Sequence, residues 1–175
     1  MNSEKNYFVL FGMPVSFDID TAELTTRYRE LQKAVHPDKF ASHAEQEKTF
    51  SVQRAALIND AYNALKNPLL RAKYMLELNG FSIDDEKNQI MEPAFLMRQM
   101  EWRESLEASC NDIDALEELI DQFQQLYNSC VEKIKHCFTD SSPTYSNVAD
   151  NVRKMQFFIR LIEEAESLIV TLENK

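Results

Sequence analysis

The chain has 175 residues, of which 44% are hydrophobic and 27% charged, with a formal net charge of -10 and only two glycines. That length suits one large or two small domains with an ample core, and so few turn formers beside runs rich in Glu, Gln, Leu, Lys and Ala argue against sheet and for helices joined by short loops. No apolar run approaches the roughly 20 residues of a membrane span, Met1 to Asn6 carries neither a signal nor a transit pattern, and three cysteines without a CxxC pair give no metal-ligand spacing, so a soluble cytoplasmic protein in a reducing compartment is expected.

The apolar segment Tyr7-Phe8-Val9-Leu10-Phe11 is stopped by Gly12-Met13-Pro14, which predicts a helix of one or two turns. Asp20 is then an N-cap with Glu23 three residues on, and Leu24, Tyr28, Leu31 and Val35 follow at steps of 4, 3 and 4. This amphipathic helix displays Arg27, Arg29 and Lys33 against a single Glu30 on its solvent side. It should end near Val35, because Pro37 biases His36 away from the helical region. His36-Pro37-Asp38 is thus expected as a stiff exposed corner presenting an imidazole and a carboxylate.

Taken alone, that tripeptide reads most simply as a turn. An acid-base pair of His36 and Asp38 would need a pocket and a third polar partner, neither visible in the local sequence, and His36, Asp38 and His43 have no recognised metal spacing. Past the corner, Phe50, Leu57, Ile58, Ala61, Tyr62 and Leu65 predict a long helix packed antiparallel on the previous one. Asn67-Pro68 restarts the chain as cap and first helical residue. A fourth helix runs to Leu78 and is closed by Asn79-Gly80-Phe81.

In this order, the basic helix, His36-Pro37-Asp38-Lys39-Phe40, the helix ending Asn59-Asp60-Ala61-Tyr62-Asn63-Ala64-Leu65 and the segment Asn67-Pro68-Leu69-Leu70-Arg71-Ala72-Lys73-Tyr74 resemble the J-domain of DnaJ-like co-chaperones. The resemblance implies a domain over residues 1–79 that docks on a DnaK-type chaperone and stimulates its ATPase. The contacting residues it implies are Arg27, Lys33, His36, Pro37, Asp38 and Lys39.

Residues 80–92 read as a linker and 93–175 as a second domain. Residues 1–79 carry ten acidic and ten basic side chains and residues 80–175 nineteen and nine, so all the net negative charge lies in the second part and nucleic acid is an improbable partner for it. Three helices are predicted there, about Pro93 to Ala108, Asp112 to Phe138 and Pro143 to Glu173, closing as an antiparallel three-helix bundle. In the middle one, Ile113, Leu116, Ile120, Phe123, Tyr127, Cys130, Ile134 and Cys137 recur at steps of 3 and 4. Val148, Val152, Met155, Ile159, Ile162 and Ile169 are expected to face them.

The helix from Pro93 has two apolar sides. Phe95, Trp102 and Leu106 fall within about 40° of one another and serve a core, whereas Leu96, Met97 and Met100 lie opposite, among Glu101 and Glu104. That second side either rests on the first domain or meets a partner. Phe157 similarly falls off the stripe of the last helix.

A J-domain followed by an acidic three-helix bundle is similar to the HscB family of iron-sulfur cluster co-chaperones, with Ala94-Phe95-Leu96-Met97-x-Gln99 and Val152-Arg153-Lys154 among the matching positions. The resemblance implies an all-α, two-domain, L-shaped co-chaperone without enzymatic activity or cofactor, whose partners are the scaffold protein IscU and the chaperone HscA. It places scaffold binding on Leu96, Met97, Met100, Glu101, Glu104 and Phe157. Ala108 stands where the family often has an acid. No membrane and no small-molecule substrate is expected. The competing reading is a general DnaJ-like adaptor with a different client.

Overall fold

The computed structural model describes residues 6–35, 45–83, 92–139 and 144–174. They form seven helices: α1 (Tyr7–Leu10), α2 (Thr21–Ala34), α3 (Glu45–Lys66), α4 (Pro68–Leu78), α5 (Pro93–Ala108), α6 (Ile113–Thr139) and α7 (Tyr145–Glu173). The chain divides into two compact units, residues 1–74 and 75–175.

In the first unit, α1 starts where Asn6 accepts bonds from the Phe8 and Val9 amides and ends at Gly12, whose φ of +61° only glycine adopts without strain. Asp20 caps α2 by accepting from the Ala22 and Glu23 amides at 2.8 and 3.1 Å. Val35 closes it as expected, its amide donating to the Leu31 carbonyl. The hairpin of α2 and α3 is antiparallel. Tyr28 stacks on Tyr62 at 4.1 Å and donates to Asn59, while Thr25, one turn earlier on α2, meets the Tyr62 hydroxyl at 3.2 Å.

The stripe on α3 differs from the sequence expectation at its N-terminal end. Ile58, Ala61 and Leu65 are buried as predicted, but Phe50 is 60% exposed and Leu57 is also on the surface. Ser51 is the buried residue instead. The buried line runs 51, 58, 65, a seven-residue repeat, and Phe50 and Leu57 sit one residue, about 100°, around from it.

The segment Asn67 to Tyr74 holds the first unit together. Asn67 accepts from the Leu69 and Leu70 amides at 2.9 and 3.2 Å, with Pro68 first in the helix as predicted. Arg71, almost wholly buried, donates to the Leu65 carbonyl at the end of α3 and lies over the Phe17 ring at 4.9 Å. Tyr74 stacks on Tyr7 at 4.4 Å, and its hydroxyl accepts from the Tyr7 amide at 2.9 Å. Ala72 is fully buried between them in sequence.

In the second unit the end of α4 is closed by a Schellman arrangement. The Gly80 amide donates to the Glu77 carbonyl and the Phe81 amide to the Leu76 carbonyl, both at 2.9 Å, with Gly80 at φ +72°. The chain then runs along the start of α7: Tyr145 donates to the Asn79 side chain and Arg153 to the Ile83 carbonyl. Helices α6 and α7 form the main pair, with α5 against α7.

Of the predicted α6 seam, Leu116, Phe123, Cys130 and Ile134 are buried, and Ile113, Ile120, Tyr127 and Cys137 are half-buried at its edges. On α7 the expected stripe holds through Met155 and then shifts. Phe158, Leu161 and Ala165 are buried, whereas Ile159, Ile162 and Ile169 are half-buried. Two partners explain the shift, because Phe158 turns toward α5, where it meets Trp102 at 5.2 Å. Helix α7 also starts later than predicted, at Tyr145 with Thr144 as its cap. The cap-then-proline pair Ser142-Pro143 lies outside the described residues.

Candidate partner-binding sites

The residues singled out from the sequence fall into two groups. Of the first, His36, Pro37, Asp38 and Lys39 lie outside the described residues. On α2, Arg29 and Lys33 are exposed, so this face does present positive charge. Arg27 has an internal task. Its Nη1 donates to the carbonyls of Phe11 and Gly12 at 2.6 and 2.7 Å, and its Nη2 pairs with Glu23 one turn back. The guanidinium therefore satisfies carbonyls left open where α1 ends. Near it, the Thr25 hydroxyl, helped by Lys66, holds the Tyr62 phenol below its ordinary range.

The second group is on the bundle. Phe95, Trp102 and Leu106 are buried, and Trp102 meets Phe95, Phe123 and Phe158 in edge-on ring contacts at 5.8, 6.4 and 5.2 Å. With that side of α5 committed to the core, the opposite side is left outward. Leu96, Met97 and Met100 are 48%, 67% and 65% exposed, and Glu101, Glu104 and Ala108 are exposed beside them on the same helix. Three large apolar side chains within five residues, rimmed by carboxylates, form a contiguous patch of the kind that marks an interaction surface.

Phe157 is different in kind. It is half-buried, with its ring 5.9 Å from Phe95, 6.1 Å from Trp102 and 5.9 Å from Phe158, and the Arg103 guanidinium lies 5.9 Å from its centroid. It is thus the outer member of the aromatic cluster rather than a free-standing anchor. Arg103 was not selected from the sequence. Its position one residue beyond Trp102 is the only signal that could have found it.

A cleft of ≈ 300 Å³ opens on another side of the bundle, lined by Phe95, Trp102 and Phe158 and by Arg98, Lys133 and Lys154. Sequence reading passed over it, although Arg98 stands three residues after Phe95 and four before Trp102, a cation near the core-facing side of α5. Cys130 also lines it, and burial pushes its thiol up, with Lys133 and Lys154 partly opposing the shift. None of the three cysteines is in a disulfide, and among the described residues no cluster of His, Cys, Asp or Glu could hold a metal ion. No described helix is long and apolar enough to cross a membrane.

Comparison with known proteins places both units. A sequence profile of the DnaJ domain matches residues 7–74, and one of the HSCB C-terminal oligomerisation domain matches residues 91–166. A protein of Shewanella frigidimarina described as a co-chaperone protein HscB homolog is 46% identical over 163 residues, covering 91% of this chain and 94% of that one. The structure is similar to chaperone HscB from Vibrio cholerae, with a TM-score of 0.82 at 37% identity over 95% of this chain and 99% of that one. It is also similar to human co-chaperone HscB, with a TM-score of 0.83 at 31% identity over 93% and 81% of the two chains. With a J-domain in front, the acidic bundle behind and kinship along almost its entire length, this chain belongs to the HscB co-chaperone family.

Proposed function

We propose that the chain binds the cluster scaffold IscU through the outward side of α5, delivers it to the DnaK-type chaperone HscA in the cytoplasm, and stimulates that chaperone's ATPase through His36-Pro37-Asp38 and the exposed Arg29 and Lys33 beside it in sequence. The chain performs no covalent chemistry of its own. Its effect on HscA is a shift in conformational equilibrium, which requires that the docking residues bind the two nucleotide states of the chaperone differently.

The observation that carries this reading is the split personality of α5. Phe95, Trp102 and Leu106 fully supply its share of the core, so the exposed Leu96, Met97 and Met100 have no packing role in the bundle. A contiguous exposed apolar patch rimmed by carboxylates marks an interaction surface, and anchors of this type, once buried, contribute roughly 1 to 4 kcal/mol each to an interface. Glu101 and Glu104 then set the charge that the partner must complement.

Titration of IscU into the full chain tests this by calorimetry. Leu96→Ala, Met97→Ala and Met100→Ala combined should weaken binding by at least a hundredfold while circular dichroism and thermal unfolding stay unchanged; undiminished affinity would remove the patch from the mechanism. Phe157→Ala is a poorer probe, since it also loosens the ring cluster. In a separate assay His36→Gln should abolish stimulation of HscA while IscU binding persists. A general adaptor would bind other clients indifferently to IscU.

A further inference from the structure

The cleft on the bundle lies away from the outward patch of α5: Arg98 and Trp102 are on its core-facing half, whereas Leu96, Met97 and Met100 project from the other. Its lining has two parts. Rings of Phe95, Trp102 and Phe158, with Leu126 and the Cys130 thiol, make an apolar floor. Arg98, Lys133 and Lys154 stand around it, with Glu92 the one acid among the lining residues.

The cations are the unusual feature. The second part of the chain has nineteen acids to pair with, yet none of these three makes an ion pair among the described residues. Instead Lys154 lies over the Phe95 ring at 5.1 Å and Arg98 near the Trp102 ring at 5.8 Å, so both are drawn over the floor. Three uncompensated cations against one carboxylate leave a positive potential over an aromatic surface, in a domain that is otherwise strongly acidic. The volume of ≈ 300 Å³ is at the lower end for small-molecule sites.

We propose that this cleft binds a small amphipathic carboxylate, with its chain or ring on the floor formed by Phe95, Trp102 and Phe158 and its carboxylate between Arg98, Lys133 and Lys154. Charge complementarity selects the anionic head, and the aromatic floor selects an apolar body over a bare anion. The occupant is a ligand and undergoes no reaction there. The site does not depend on which client the opposite face of α5 carries.

Trp102 is the sole tryptophan and lines the cleft, so its emission reports occupancy directly. The full chain is titrated with decanoate, with decanol and with sulfate, following Trp102 fluorescence. Decanoate should give a saturable change, at least tenfold tighter than decanol, and sulfate none. Ser129→Glu adds a negative charge at an exposed lining position without touching the core and should weaken decanoate at least tenfold; Lys133→Gln with Lys154→Gln should do the same. Equal affinity for decanol and decanoate would reduce the site to bare apolar surface, and an equal response to sulfate would reduce it to a charge patch. Either result overturns the proposal, as does decanoate binding that Ser129→Glu leaves unchanged, or a cleft that takes an acidic aromatic peptide and ignores decanoate.

Discussion

The two units are held together by different physics. The first, of 74 residues, relies on side chains that bond to the backbone of another helix or its end: Arg27 to Phe11 and Gly12, Arg71 to Leu65, and Tyr74 to Tyr7. The second relies on a continuous apolar seam and a ring cluster, and among the described residues most of its side-chain hydrogen bonds are local to one helix. Small domains bury a smaller share of their surface, so charge-assisted bonds that fix short helices are worth relatively more in them. Long helices with an unbroken stripe do not need such devices.

Cutting into the ring cluster should therefore have the largest effect. Trp102→Ala removes the residue that joins α5 to both α6 and α7, and should cost about 3–5 kcal/mol, typical of an aromatic deleted from a core. Chemical denaturation followed by circular dichroism measures it; a loss below about 1 kcal/mol would mean that the bundle is not organised around this ring. Arg71→Ala tests the other mode. It strips the bond from a buried guanidinium to the Leu65 carbonyl and the cover over Phe17, and a loss of about 2–3 kcal/mol is expected from an unpaired buried carbonyl and missing contacts. Arg71→Met, which restores the stem but not the bond, should recover only part. Full recovery would show that Arg71 acts by packing alone, and the contrast between the units would fail.

Much of this architecture was legible from sequence because local rules and tertiary packing agree. Asn67-Pro68, Asn79-Gly80-Phe81 and Asp20 each do what their residue types dictate, and the 3-and-4 spacing on α6 has only one side to bury. Legibility fails where a helix has a choice of phase. Phe157-Phe158-Ile159 is apolar at three successive angles, so periodicity cannot say which ring enters the core; the position of Trp102 on another helix decides it. Phe50 fails for a related reason, since a buried serine carries no hydrophobic signal and the aromatic beside it does. The outward patch was readable because α5 has too many apolar residues for one face. The internal work of Arg27 was not, since its acceptors are carbonyls 15 and 16 residues away.

The contrast can be sharpened at the caps. Asn67→Ala deletes the acceptor of the Leu69 and Leu70 amides and should cost about 1 kcal/mol, the usual worth of an N-cap. Replacement by Asp or Ser should restore most of it in the same denaturation assay. If Asn67→Ala costs nothing, Pro68 and the Arg71 bond suffice to start α4, and capping is not part of what holds the first unit.

The smallest expected effect concerns the buried thiol of the second unit. Burial raises the Cys130 pKa above its ordinary value of 9.0, so the folded chain holds this proton more tightly than the unfolded one. Its contribution to stability is then fully present below the unfolded thiol's pKa and is lost as pH rises through the folded value. Cys130→Ala gives up some packing at neutral pH but should flatten that alkaline slope. Denaturation of both proteins between pH 7 and about 10 reads the difference, because the lysines and tyrosines that also titrate there are common to the two. Parallel curves would mean that Lys133 and Lys154 cancel the effect of burial, and that the cleft they line is more polar at its floor than the rings suggest.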